Sequence, residues 1–316
     1  MILPEVGAAG QARLARAHVL VVGAGGLGCP VLQYLVGAGV GRITLVDPDH
    51  VEESNLHRQP LYRMSDLGRA KVAAAREHLM AANPGVEIVA LAQGLHPGNA
   101  PALVAEADLV IDAADSFAVS YILSDGCLAA ARPLVSASAL GQSGYVGAFC
   151  GGTAPSLRAV FPELPERGAT CATAGVLGPV VGMIGALQAQ IGLRILLGLD
   201  PAPLGRMVTL DLETLRFGGF DFHGAPEPEV ALPFVARAAL GPDDLVIELR
   251  GGDEAPEPLT PDARRLDPEA VVDRAPRGDV RLVLCCASGL RAWRAAGHLR
   301  AVGHDRLALL AARACE

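Results

Sequence analysis

Gly23-Ala24-Gly25-Gly26-Leu27-Gly28 fits the spacing G-x-G-x-x-G and follows a short apolar, β-branched run. Glycines so spaced let a backbone approach a polyphosphate, and a helix that opens there turns its N-terminal N–H groups toward the negative charge. Asp47 closes the next apolar run, where a carboxylate can hydrogen-bond ribose hydroxyls. Alone, this pattern indicates a nucleotide. Its commonest meaning is an NAD-binding dehydrogenase, and a tight turn that binds nothing is the plain alternative. Ser54-Asn55-Leu56-His57-Arg58-Gln59 follows as a polar cluster, then Lys71 at a helix start, then Asp115 just past a third apolar run. A guanidinium and an ammonium can hold a triphosphate and spread its developing charge, while an Asp can carry Mg²⁺. Hydride transfer has no need of that set.

The elements that must position these groups read as an alternation. Strands are expected at 19–22, 43–46, 86–91, 109–112, 134–137, 145–149 and 207–212, with helices at 30–38, 69–82 and 118–131. Such alternation gives an α/β fold, a Rossmann-like doubly wound and mostly parallel sheet covered on both faces, whose ligands sit at the strands' carboxyl edge. The apolar stretch 174–199 is interrupted by Gly175, Gly178, Gly182, Gly185 and Pro179. It reads as a buried helix with small residues at close contacts rather than a membrane span. The run after Arg13 dissolves into the glycine turn, so it is not read as a signal peptide.

Glycines and prolines crowd residues 218–233, which read as a linker, and a strand at 245–249, a strand at 281–285 and a helix at 290–302 follow. Two domains are expected, 1–222 and 237–316, joined by 223–236. With 26 Lys+Arg against 34 Asp+Glu the net charge is −8, which argues against a nucleic-acid binder. Seven cysteines, an odd number thinly spread, suit free thiols in a reducing compartment, hence a cytoplasmic protein.

The segments Val21-Val22-Gly23-Ala24-Gly25-Gly26-Leu27-Gly28-Cys29-Pro30, Ser54-Asn55-Leu56-His57-Arg58-Gln59, Gly68-Arg69-Ala70-Lys71 and Asp112-Ala113-Ala114-Asp115 together resemble the MoeB/ThiF/HesA family of E1-like adenylating enzymes. The similarity runs in one order over residues 1–222. It implies ATP with Mg²⁺, and a ubiquitin-like sulfur-carrier protein whose C-terminal Gly-Gly carboxylate attacks the α-phosphate and releases pyrophosphate. By position, Gly23, Gly25, Gly26 and Gly28 would approach the phosphates and Asp47 the ribose. Asn55, Arg58 and Lys71 would hold the phosphates, with Ser54 and Gln59 beside them. Asp115 would hold the metal, and Ser116 stands where the family usually has Asn. Cys171, in Gly168-Ala169-Thr170-Cys171, matches the family's crossover-loop cysteine, which could form an acyl thioester or a mixed disulfide. A homodimer is implied, with a cysteine desulfurase as sulfur source.

Two departures stand out. Relatives commonly bind zinc through two C-x-x-C pairs, but no C-x-x-C occurs in this sequence, so no zinc is expected. The family segment that normally precedes a stretch like Met1-Ile2-Leu3-Pro4-Glu5-Val6-Gly7 carries an arginine that reaches the partner subunit's ATP site. Either the start lies upstream of this methionine, which is the expectation, or the enzyme lacks that cation.

Near the other end, Cys286-Ala287-Ser288-Gly289-Leu290-Arg291 resembles the rhodanese active loop, and Val246-Ile247-Glu248-Leu249-Arg250 resembles that domain's first strand. A helix N-terminus favours a thiolate or persulfide on Cys286, Arg291 can add positive charge, and Cys285 is read as core. The unit is short and its middle is plain, so a degenerate fold kept for docking stays open. Two rivals to carrier adenylation remain: an E1-like tRNA-modifying dehydratase, and a non-catalytic protein that binds ATP and carrier.

Overall fold

In β1 (His18–Val22), β2 (Arg42–Val46) and β4 (Leu109–Asp112) apolar, often β-branched residues are buried on both faces, the signature of parallel strands inside a layered fold. The computed structural model describes residues 3–163, 175–229, 231–276 and 278–314. These three strands join β3 (Glu87–Leu91) and β5 (Pro133–Leu140) in parallel, in the order β3-β2-β1-β4-β5. An antiparallel run of β6 (Ser143–Cys150), β7 (Arg206–Asp211) and β8 (Arg216–Asp221) extends the sheet to eight strands. From β1 the chain builds outward through β2 and β3, then returns to the other side as β4 and β5. The crevice at the carboxyl ends of β1 and β4 is therefore the topological switch point, where ligands of such sheets sit.

Helices α1 (Gly7–Arg16), α2 (Gly28–Gly37), α3 (Lys71–Ala82), α4 (Ala100–Glu106), α5 (Phe117–Ala129) and the single turn α6 (Leu157–Val160) lie around this sheet. The expected apolar helix is α7 (Gly178–Leu197), with Val180, Ile184, Gln188 and Ile191 buried. It is long and apolar enough to cross a membrane, yet half of it is buried within the protein. Close contact dictates its small residues: a Cβ on Gly185 would stand 2.5 Å from the Leu27 carbonyl oxygen.

A second sheet of four parallel strands has the order β10-β9-β11-β12: β9 (Leu245–Glu248), β10 (Arg264–Arg265), β11 (Leu282–Cys286) and β12 (Leu307–Ala311). The turn α8 (Val271–Arg274) and helix α9 (Leu290–Ala301) pack beside it. Buried residues of both sheets belong to one hydrophobic cluster, among them Leu134 and Phe149 of the first and Ile247 and Leu309 of the second.

The linker expectation needs correction. Gly218 and Gly219 sit inside β8, where a Cβ on Gly219 would fall 2.3 Å from the Met207 carbonyl oxygen, so glycine there serves close strand approach. Farther on, Leu232 and Phe234 are buried. The Val235 N–H donates to the Leu309 carbonyl and the Leu309 N–H to the Pro233 carbonyl, both at 2.8 Å, so this segment covers the edge of β12. Part of what reads as a linker is therefore strand β8, and its last residues pack against the second sheet.

Candidate active site

Gly23 begins the loop between β1 and α2 with φ +103, and a Cβ there would lie 2.4 Å from the Ala113 carbonyl oxygen. Only glycine fits both the backbone angle and this approach to the end of β4. The loop is held from below by its own polar groups. The Ala24 N–H donates to Asp47 Oδ2 at 2.7 Å, and the buried Tyr62 hydroxyl donates to the Ala24 carbonyl at 2.7 Å. Burial pushes the Cys29 thiol up to about 12, so this cysteine is an inert packing residue.

Asp47 Oδ1 accepts the Asp49 N–H at 2.8 Å, so both carboxylate oxygens hold backbone groups, each with lone-pair capacity left for a hydroxyl. Burial raises the Asp47 pKa, with the Lys71 charge opposing. Lys71 is the first residue of α3 and is nearly buried, and its Nζ lies 2.8 Å from Asp49 Oδ2. Asp49 went unread in the sequence, where a second carboxylate two residues after Asp47 was the only signal. An arriving polyanion would compete with an exposed Asp49 carboxylate for the ammonium.

Arg58 has no carboxylate partner among the described residues. Its Nη2 donates to Asn55 Oδ1 at 2.5 Å, and its Nη1 to the Ser54 carbonyl at 3.2 Å. Ser54 Oγ and Asn55 Nδ2 both point to Glu52, at 3.4 and 3.3 Å. The 54–59 turn thus holds an uncompensated guanidinium in a fixed pose. A Cβ on Gly26 would touch Val181 of α7 and the Arg58 carbonyl, and one on Gly25 would meet Gln59 Nε2 at 3.6 Å. Gln59 is buried and its Oε1 has no hydrogen-bond partner among the described residues, which leaves part of the amide uncommitted beside the glycine loop. A Cβ on Gly28 would come within 2.0 Å of the Gly23 carbonyl oxygen, so the loop closes tightly onto α2.

Across the crevice, Ser116 precedes α5, and the exposed Asp115 carboxylate makes no hydrogen bond or ion pair among the described residues. Asp112, deep inside the protein, accepts the Ser136 hydroxyl at 2.7 Å, and burial pushes its carboxyl up to about 6. Among the described residues no three His, Cys, Asp or Glu side chains converge on a metal position. Asp115 with a bound triphosphate suits a hard cation that takes most of its oxygens from phosphates and water. The structure therefore gathers Gly23, Gly25, Gly26, Gly28, Asp47, Arg58, Gln59 and Lys71 at the switch point, with Asp115 and Ser116 on its β4 side. Cys171 lies outside the described residues.

Cys286 ends β11, and its Sγ accepts the Ala292 N–H of the first turn of α9 at 3.4 Å. The helix-start setting is as expected, and the thiol is fully buried. Arg291 is engaged by Glu254 at 2.5 Å and by the Leu249 carbonyl at 3.2 Å. Cys285 points into a different cluster with Val246 and Leu259, as core.

The sequence matches the ThiF family over residues 1–230. The chain belongs to the ThiF family. Among curated relatives, this ThiF-family chain is 49% identical over 213 residues to the adenylyltransferase and sulfurtransferase MOCS3 of Bos taurus, covering 67% of this chain and 47% of that protein. It is 44% identical over 218 residues to the sulfur carrier protein adenylyltransferase of Thermus thermophilus, covering 67% and 80%. The chain spans about half the length of the MOCS3 relatives it matches. Among solved structures, E. coli MccB with ATP superposes with TM-score 0.60 at 22% identity over 70% of this chain and 68% of that one, a likeness of fold. PaaA superposes with TM-score 0.59 at 24% identity, over 67% and 66%.

Proposed function

We propose that this chain adenylylates the C-terminal Gly-Gly carboxylate of a ubiquitin-like sulfur-carrier protein with ATP, and that its C-terminal unit, residues 237–316, is a rhodanese-like sulfur donor. The observation that carries the first half is the crevice itself. A glycine loop, an Arg58 without a carboxylate partner among the described residues and a Lys71 ion-paired with the exposed Asp49 converge opposite Asp115, which makes no ion pair among them. Names of two relatives, sulfur carrier protein adenylyltransferase and MOCS3, point the same way.

In this reading the glycine loop and the start of α2 cradle the phosphates, and Asp47 orients the ribose. Arg58 and Lys71 stabilise charge as the carrier's carboxylate oxygen attacks the α-phosphorus and pyrophosphate leaves with the electrons of the broken P–O bond. Asp115, with Ser116 beside it, would hold Mg²⁺, which supplies charge neutralisation on the phosphates. A persulfide at Cys286 then attacks the acyl carbon and AMP departs, which gives an acyl disulfide. A thiolate, for which Cys171 is the candidate, attacks the Cys286 sulfur, releasing the carrier thiocarboxylate and leaving a disulfide.

Burial of Cys286 favours one alternative for the second half: the C-terminal unit docks without sulfur chemistry. A single variant decides. With ATP, a Gly-Gly carrier, a thiol reductant and thiosulfate, which would load Cys286 as sulfite leaves, intact-mass spectrometry reads both products. Cys286→Ala should keep the carrier adenylate and lose the thiocarboxylate. Unchanged thiocarboxylate would make the unit a docking module.

A further inference from the structure

Arg158, in α6, is 4% exposed and touches three separate parts of the chain. Its Nε and Nη2 donate to the two carboxylate oxygens of Asp125 in α5, at 2.5 and 2.8 Å. Nη2 also donates to the Leu232 carbonyl at 3.2 Å, in the segment that leads to the second sheet. The guanidinium lies over the Tyr121 ring of α5 at 4.6 Å and the Trp293 ring of α9 at 5.2 Å, and these rings stand 5.1 Å apart. A planar cation with a two-point anion contact and aromatic faces is what arginine, and not lysine, supplies. Nearby, Glu227 accepts the Ser156 N–H and hydroxyl at 2.7 and 2.5 Å, which ties the connecting segment to the same corner.

One turn before Trp293, the 286–291 loop meets the large unit. A Cβ on Gly289 would touch the Phe234 ring at 2.7 Å and Ala118 at 3.4 Å. Ala118 is in the first turn of α5, immediately after Asp115 and Ser116. We propose that Arg158 is a positioning residue that seats the C-terminal unit on α5, so that the cysteine loop stands at the rim of the nucleotide crevice. The functional consequence, direct delivery of sulfur within one docked body, rests on the function proposed above; the docking does not. A released unit would remain tethered at roughly millimolar effective concentration, so loss of the seat should slow delivery about tenfold rather than abolish it.

Trp293 is the chain's single tryptophan, so its fluorescence reports the seat without regard to activity. In the full chain, Arg158→Met should raise acrylamide quenching of that emission about twofold, and Asp125→Asn should act in the same direction. Carrier-dependent pyrophosphate exchange should be unchanged and thiosulfate–cyanide turnover undiminished, while sulfur incorporation into the carrier falls about tenfold. Should Arg158→Met fail to fold, Arg158→Lys keeps a cation near both rings but loses the two-point contact, and should show the same split in milder form. Quenching equal to the parent chain's in every variant would overturn the proposal, as would an equal fall in exchange and sulfur incorporation. If the parent chain itself shows no exchange, the adenylation reading fails while quenching still decides the seat.

Discussion

Asp112 shows how a single carboxyl in the crevice floor couples protonation to stability. Burial pushes its pKa from 3.8 to about 6, against the hydrogen bonds from Ser120, Ser136 and Ala114 that favour the charge. Between those values the folded chain holds a proton that the unfolded chain has released. The stabilisation is therefore complete below pH 3.8 and is lost as pH rises to about 6, a change on the order of 3 kcal/mol. Asp112→Asn, neutral throughout, should flatten the melting temperature across about pH 4 to 6 relative to the parent. Parallel thermal-melt profiles for the two proteins would contradict this. At the same scale, Asp47, Arg58 and Lys71 were legible because each falls in a sequence pattern with a chemical purpose. Asp49 was not, since a lone carboxylate becomes meaningful only when Lys71 folds back against it. The sealing of Cys286 was equally hidden, because burial belongs to packing and not to spacing.

The elements were legible where local pattern and burial agree. The β-branched runs of β1, β2 and β4 gave their strands, and the glycine turn gave the start of α2 within a residue or two. Where they disagree the reading failed. β12 is Leu-Ala-Leu-Leu-Ala, which carries no alternation and no β-branching, and it becomes a strand because β11 pairs with it. β8 carries two adjacent glycines and looked like a linker, yet close approach of β7 requires glycine at position 219. In α7 the glycines divide into two kinds. Gly185→Val would drive side-chain atoms into Leu27 and Pro30, and overpacking of that sort costs about 1–3 kcal/mol or more, read as a fall of several degrees in melting temperature. At Gly182 a methyl group would meet no atom within 4 Å among the described residues beyond its own helix, so Gly182→Ala should gain up to about 1 kcal/mol from helix propensity. Equal effects of the two substitutions in thermal melts would refute the distinction.

For the whole molecule, the two sheets share one apolar cluster and the connecting segment is woven into both. That shared core places the cysteine loop beside α5, a relation no motif in either half expresses. The nucleotide crevice, by contrast, is local to the switch point between β1 and β4, and its residues lie within the ThiF-family match. The central claim is that Arg58, Lys71 and Asp115 serve phosphate chemistry on a carrier's terminal carboxylate. The most direct measurement is exchange of labelled pyrophosphate into ATP by the full chain, with and without a ubiquitin-like carrier ending in Gly-Gly. Exchange should require the carrier and fall at least about a hundredfold in Lys71→Ala, whose circular dichroism should match the parent's. Exchange driven by tRNA in place of the carrier, or ATP binding with no exchange at all, would contradict the account.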